Sequence, residues 1–537
     1  LLLEVSLPGF KLLEKEKHPV KYRVVNKTGE PLNVSLSGHA DETVDHSFHH
    51  SGQVEEEWTG EFPVSLSIPD REPSPWKTHP VVSSIVNING MDFPLKVGVF
   101  PKQAAKVFVR STNKNWRAGQ KGLVHLDVES QLDEECSLCI QLPENPVLKW
   151  ERREVKAVLK GKERASFPIP VKLKKNDFLS EEIEVVVSRE NQQPMKIQAK
   201  MALAFPGYGS KFGGETDEHW YGYNGPYYVE VEKRNHIVKV GSIYSSGEAL
   251  TFFSPKLGKP FSEEFSKKEA STIEFIELVE GFVMKTSLDS DAFPSLTLNT
   301  YLKIFGDGYI EMNHEIVNKG TEAKKDVYLL QPVYPQFKGM ALPQKDGVVV
   351  GTEAAIPFID YIKDKEISEN WFFVKGNQGD TTGLTWPETA NGRKDEWRFG
   401  VEYKVEELQP EEEICFGPVA VGINTSRTWR HWREFIVGED APELKEQPLY
   451  ALQTADGDVI SSVGHTVEYS FRSMLTPYVH GSLRLNSEGV NYDGSAKKED
   501  EVTKIDLQVE HTSPGIKRVN GSFRAPGQKA GIGRAHV

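Results

Sequence analysis

Cysteine is scarce in this chain: three residues, Cys136, Cys139 and Cys415, among 537. Three thiols cannot build a disulfide framework, and they fit a reducing compartment, so the cytoplasm is the favoured location. Cys136 and Cys139 form a single Cys-x-x-Cys inside a strand-like stretch, with no second pair to complete a zinc site. Long apolar runs are also missing. No segment approaches the roughly 20 apolar residues that cross a bilayer, and the opening Leu1-Leu2-Leu3 is broken at once by Glu4, Ser6 and Pro8. Nor is there a basic stripe: 64 Lys+Arg stand against 78 Asp+Glu, a net charge of -14, with the basic residues scattered. That balance argues against nucleic acid or an anionic membrane as partner. The absence of a Gly-x-Ser-x-Gly elbow, a His-Glu-x-x-His pair and a Walker loop argues against the corresponding enzyme classes.

Helical periodicity is nearly absent too, whereas period-two alternation recurs throughout, so the expected class is all-β. One unit appears four times: an alternating strand, a polar turn and a second alternating strand. The strand pairs are 20–26 with 32–36, 122–130 with 136–142, 309–318 with 326–330, and 465–472 with 481–485. Such units, joined by Asn, Gly and Asp turns, build β-sandwiches. The length calls for three to five domains. Composition places sandwich-sized, immunoglobulin-like blocks at 1–106 and 107–205, a large block at 206–440 and a partial sandwich at 441–531. The Gly-dense stretch from Pro206 to Glu215 is expected to be a linker or lead-in loop rather than a regular element. Ile532-Gly533-Arg534-Ala535-His536-Val537 reads as ATC-GGA-AGA-GCA-CAC-GTC, like a sequencing-library adapter translated in frame. An artefactual tail is therefore expected, on a fragment whose parent protein carries further domains.

The central block holds an ordered set of motifs. It opens with Trp220-Tyr221-Gly222-Tyr223-Asn224-Gly225-Pro226-Tyr227-Tyr228 and continues with a long strand from Gly308 to Gly320 that closes on Val317-Asn318-Lys319-Gly320. Trp386-Pro387-Glu388 follows, then Leu408-Gln409-Pro410-Glu411-Glu412, then Trp429-Arg430-His431-Trp432-Arg433. Over residues 218–437 this order resembles the galactose mutarotase-like supersandwich. The resemblance implies a large curved double sheet with a concave face that holds sugars. In active members a His and a carboxylate transfer protons, and here it points to His314 and Glu388 as the acid–base pair. Alternation puts Ile310, Met312, His314 and Ile316 on one face of their strand, a possible binding floor, with Glu311, Asn313 and Glu315 on the other. The plainer reading of His314 is a hydrogen-bonded histidine packed among apolar neighbours, and that of Glu388 a solvated loop carboxylate beside a core Trp386. The His-containing loops of true epimerases are not evident, so binding is the stronger expectation.

The rings offered to a saccharide are Trp220, Tyr223, Tyr227, Trp386 and Trp397. The opening aromatics could equally seal a junction with the preceding sandwich. A cluster of His39, Asp41, Glu42, Asp45, His46, His49 and His50 has ligand-type residues but no established spacing, and is expected to be a solvated polar loop without metal. No cofactor is expected. The leading expectation is an accessory carbohydrate-binding region; its rivals are a carbohydrate-active enzyme (epimerase, lyase or glycoside-processing) and a structural, partner-binding stalk. Trp76 to Val82 with Leu95 to Pro101 also resembles the β-rich extensions that follow GNAT-type N-acetyltransferase domains in some bacterial proteins.

Overall fold

The computed structural model describes residues 1–67, 80–111, 116–245, 248–335, 339–345, 347–352, 366–376, 380–395, 398–454, 466–476, 481–487, 490–496, 502–510, 518–524 and 531–536. Strand fills most of it and the expected all-β class holds. The chain divides into two compact units, 1–207 with 214–218, and 208–213 with 219–537.

The first unit contains two sandwiches. In the first, sheets built on Lys17–Val25 and on Leu32–Gly38 enclose Val20, Tyr22, Val24, Val34, Leu36 and Val86. In the second, sheets built on Lys121–Ser130 and on Cys136–Gln141 enclose Val124, Leu126, Leu138, Ile140, Ile169 and Val185. Cys136 is buried and Cys139 half-buried, because three residues along a strand is an odd step and turns their side chains to opposite faces.

The second unit carries two large sheets. The smaller, nine-stranded, runs from Lys211–Glu215 through Glu248–Phe252 and Lys324–Pro335 to Asn391–Asp395. The larger, twelve-stranded, begins at the edge strand Thr272–Glu277 and proceeds through Gly281–Asp289, Leu296–Phe305, Tyr309–Asn318, Glu413–Ile423, Thr381–Thr385 and Trp371–Lys375. It continues past Gly347–Thr352, which pairs in parallel with Glu446–Thr454, to Val502–Glu510. A further sheet includes Arg518–Arg524 paired with Gly531–His536. Between the two large sheets lies one apolar core, with Val229, Val240, Leu298, Leu302, Ile310, Met312, Leu329, Val401 and Val421 facing inward.

The Gly-dense lead-in is not a loop throughout: Lys211–Glu215 is an edge strand. Its glycines serve close approach, since a Cβ on Gly213 would lie 2.3 Å from the Phe275 ring and one on Gly214 2.1 Å from Phe178.

The four strand–turn–strand units share a feature that alternation alone does not reveal. In each, the first strand belongs to one sheet and the second to another rather than forming a hairpin, and in the three units whose turn is described the turn is an arch across the sandwich. Two arches use the same plug. Asn26 donates its amide to the carbonyls of Glu30, Val54 and Glu55, and its Oδ1 accepts Thr28 N–H at 2.9 Å. Asn318 donates to Glu322, Leu408 and Gln409 at 2.9, 3.2 and 3.1 Å, and accepts Gly320 N–H at 3.0 Å. Asn318 is fully buried, so Asn318→Ala leaves the carbonyls it caps without their donor, the buried Leu408 carbonyl above all. The expected cost is about 2 kcal/mol, read as a lowered urea midpoint at unchanged slope; a loss under about 0.5 kcal/mol would show the plug to be dispensable.

Candidate functional site

Alternation along Tyr309–Asn318 decides which chemistry meets the core and which meets solvent. Ile310, Met312, His314 and Ile316 point inward and are 1% exposed or less. His314 is therefore a core residue and not part of a floor open to ligand. Its Nδ1 lies 3.0 Å from Thr300 Oγ1 on the neighbouring strand, its Nε2 has no partner in hydrogen-bonding geometry among the described residues, and in the register it pairs with Phe416 on the next strand. Burial pulls its pKa down to about 4 against a smaller opposing effect of Gln331. The ring is neutral at neutral pH.

Glu388 lies exposed in the turn that follows Trp386. No hydrogen bond joins it to His314 among the described residues, and His314 is buried where Glu388 is exposed. Trp386 is 3% exposed and packs between Phe372 and Phe399 at 6.5 and 5.1 Å, which makes it core and withholds its face from a sugar. Trp220 is 7% exposed and also packs in the core, with Lys233 5.4 Å from its ring. Tyr223 turns to the opposite face and stacks on Phe212 at 5.0 Å, with Tyr228 at 5.8 Å; burial raises its pKa. Tyr227 is half-buried at the end of its strand. Trp397 lies outside the described residues, as do Trp76 to His79.

In the histidine cluster of the first sandwich, His39, Asp41, Glu42, Asp45 and His49 are exposed, as in a solvated loop, and His46 is the exception. His46 is fully buried, with Nε2 2.8 Å from Tyr22 Oη and Nδ1 2.8 Å from the Pro63 carbonyl. Asp41 instead caps its own turn, accepting Thr43 N–H at 2.7 Å and Val44 N–H at 2.8 Å. Among the described residues no group of three or more His, Cys, Asp or Glu is placed to hold a metal ion.

One residue beyond His314 the picture reverses. Glu315 points outward, and the register places Thr272, Ser287, Asn299, Glu315 and Cys415 directly across from one another on five adjacent strands. Ser287 Oγ donates to Asn299 Oδ1 at 2.6 Å, and Asn299 Nδ2 donates to Glu315 Oε2 at 2.6 Å. Tyr301 Oη donates to the same oxygen at 3.1 Å, and Cys415 Sγ to Oε1 at 3.7 Å. Lys285 Nζ sits 5.5 Å from the Tyr301 ring centre. Burial and the Glu315 carboxylate push the Tyr301 hydroxyl up to about 12, and the same two causes raise the Cys415 thiol. Both stay protonated and act as donors. A carboxylate offers about four lone-pair sites, so Glu315 keeps acceptor capacity beyond its three donors.

Beside this row the strand pairing slips: Met312 faces Val419 but His314 faces Phe416, so Gly417 and Pro418 together oppose Asn313. A bulge at this point bends the Glu413–Ile423 strand, a device that often re-aims side chains beside binding sites. The row was missed in the sequence because each member lies on a different strand. The only signal was the placement of Glu315 opposite His314.

No family model matches the sequence, and no curated protein matches it. Among solved structures, a TPR-domain containing protein from Parabacteroides distasonis aligns at 9% identity over 51% of this chain and 57% of that one, with a TM-score of 0.30. An α-N-acetylgalactosaminidase, NagBb from Bifidobacterium bifidum, solved with GalNAc, aligns at 12% identity over 40% of this chain and 38% of that one, also at 0.30. The chain thus spans less than two thirds of either. Likeness at that TM-score assigns neither a fold family nor an activity. Among the described residues no helix is long and apolar enough to cross a membrane.

Proposed function

We propose that the second unit is a carbohydrate-binding, non-catalytic sandwich of the mutarotase-like kind, and that its ligand lies on the outward face of the larger sheet. The observation that supports this is the polar row from Thr272 to Cys415, centred on Glu315. Hydroxyl, amide, carboxylate and thiol groups there alternate as donors and acceptors, the pattern that sugar hydroxyls complement. Strands about 4.8 Å apart make the row about 19 Å long, which suits an oligosaccharide better than a single sugar. His314 is buried in the core and Glu388 is exposed, with no hydrogen bond between them among the described residues, and this supports binding over turnover.

The test is a glycan array followed by calorimetry. Glu315→Gln keeps the side chain's size but replaces an acceptor oxygen with a donor, and should weaken binding by about 10-fold to 100-fold, the worth of a hydrogen bond to a charged group. His314→Leu should leave affinity within about threefold if it folds, since such core changes act on stability rather than on ligand contacts. Binding insensitive to Glu315→Gln, or saccharide turnover abolished by His314→Leu in folded protein, would overturn the proposal. Binding to none of the glycans would favour a structural stalk.

A further inference from the structure

We infer that the second unit binds a second copy of this chain, by pairing the edge strand Thr272–Glu277 with its own counterpart across a two-fold axis. The inference goes beyond the carbohydrate reading and does not depend on it. Every residue of this strand except Ile273 is exposed, and among the described residues only Gly281–Asp289 pairs with it. Phe275 is 39% exposed, Ile276 37%, and Val279, in the turn that follows, 97%. An edge that bares backbone groups beside large apolar side chains is a template for another strand. The hydrogen-bond pattern fixes which groups it offers. Leu278 N–H donates to the Gly281 carbonyl at 2.9 Å, one step beyond the Glu277–Phe282 pair. Hydrogen-bonded pairs alternate along an antiparallel ladder, so Thr272, Glu274 and Ile276 turn their backbone groups to the neighbouring strand. Ile273, Phe275 and Glu277 turn theirs to the open side. Lys211 Nζ donates to the Leu278 and Val279 carbonyls, which ends the open edge at Glu277.

Charge then selects the register. A two-fold antiparallel pair that matches open groups with open groups, and keeps all but one residue of the strand paired, is centred on Glu274 or on Phe275. Centring on Glu274 sets that carboxylate against its own copy, which is repulsive. Centring on Phe275 sets Glu274 against Ile276 and Glu277 against Ile273, so no carboxylate opposes another. It also brings the two Phe275 side chains together at the axis, a favourable cross-strand pair. The strand thus accepts its own copy without a like-charge clash, in the isologous two-fold contact that most homo-oligomers use. The axis runs perpendicular to the joined sheets, so the outward faces of both copies look the same way. On the carbohydrate reading above, a polymeric ligand then meets two rows at once.

A contact of this length makes a weak dimer, with a dissociation constant on the order of 10 to 100 µM. Sedimentation equilibrium of the full chain without ligand, from about 1 to 200 µM, should show the average mass rising from one chain toward two. Phe275→Pro removes the donor at the axis without losing an internal hydrogen bond, because that N–H faces the open side, and should weaken association by at least about tenfold. Ile276→Lys sets a cation opposite each Glu274 and should tighten association by about threefold to tenfold, the scale of two cross-strand ion pairs. Adding Glu274→Lys should reverse that gain. Circular dichroism and melting show whether Phe275→Pro folds, and if it does not, Ile276→Lys decides the matter alone. A chain that stays monomeric throughout the range, a dimer untouched by folded Phe275→Pro, or no tightening by Ile276→Lys would overturn the inference. With no glycan present, none of these outcomes bears on the outward-face site.

Discussion

Amide protection along Tyr309–Asn318 is expected to fall by about 4 kcal/mol between pH 8 and pH 5, after correction for intrinsic exchange, and removing two buried histidines should abolish most of that fall. His314 and His236 each have a pKa pulled down to about 4 by burial, against about 6.5 in the unfolded chain. His236 has no hydrogen-bond partner at either ring nitrogen among the described residues, and Glu269 only partly opposes its burial. Because the folded-state pKa is the lower one, the unfolded chain takes up protons first as pH falls below about 6.5. Stability is therefore full above that pH and is lost as pH drops toward 4, by about 2 kcal/mol per histidine at pH 5. His314→Leu with His236→Asn should flatten the profile, even if stability at pH 8 is lower. Asn is chosen at 236 because that backbone has a φ of 55°, which Asn tolerates. An identical slope in the native and doubly substituted proteins would show that neither ring is buried neutral.

Glu369→Ala should cost about 3 to 5 kcal/mol, the effect of leaving a buried guanidinium without its counter-ion. Arg433 is 8% exposed on the Trp429–Val437 helix, and its Nε and Nη2 each donate to Glu369 at 2.7 Å. Trp371 Nε1 donates to the same carboxylate at 2.7 Å, and Arg433 also reaches the Pro442 carbonyl at 2.8 Å. Burial pushes the Glu369 carboxyl up, but the hydrogen bonds from Arg433 and Trp371 outweigh it and hold the group below its ordinary range. The pair clamps the helix on the outward face, where Trp432 lies against Gly383 and Trp429 stacks on Trp371 at 5.9 Å. Arg433→Met added to Glu369→Ala should recover much of the loss, because the charge that lacks a partner goes with it. Thermal melting checks both variants; a single-variant cost below about 1 kcal/mol would show the clamp to be solvated.

The fold was largely legible in the sequence because strand alternation is local. The spacing of Ile310, Met312, His314 and Ile316 placed those side chains on one face, and they share the core. Alternation shows that two faces differ, but not which one a second sheet covers. The covering strands, Lys324–Pro335 and Arg398–Leu408, come later in the chain, so the sequence left His314 open as a binding residue. The row through Ser287, Asn299, Glu315 and Cys415 depends on register between strands that lie up to 128 residues apart, counted from Ser287 to Cys415 (415 - 287). Trp386 read as a stacking surface for a similar reason: Phe372 and Phe399, which bury it, lie on other strands. The Lys211–Glu215 strand was hidden because its two glycines mimic a linker, whereas here they admit the Phe275 and Phe178 rings.

Cys415 provides a direct probe of where ligand sits, since it is exposed, whereas Cys139 is half-buried and Cys136 buried. Its modification by a maleimide should slow by about tenfold at a glycan concentration ten times the dissociation constant, with Cys139 unaffected. An unchanged Cys415 rate with glycan demonstrably bound would place the ligand elsewhere and contradict the outward-face site.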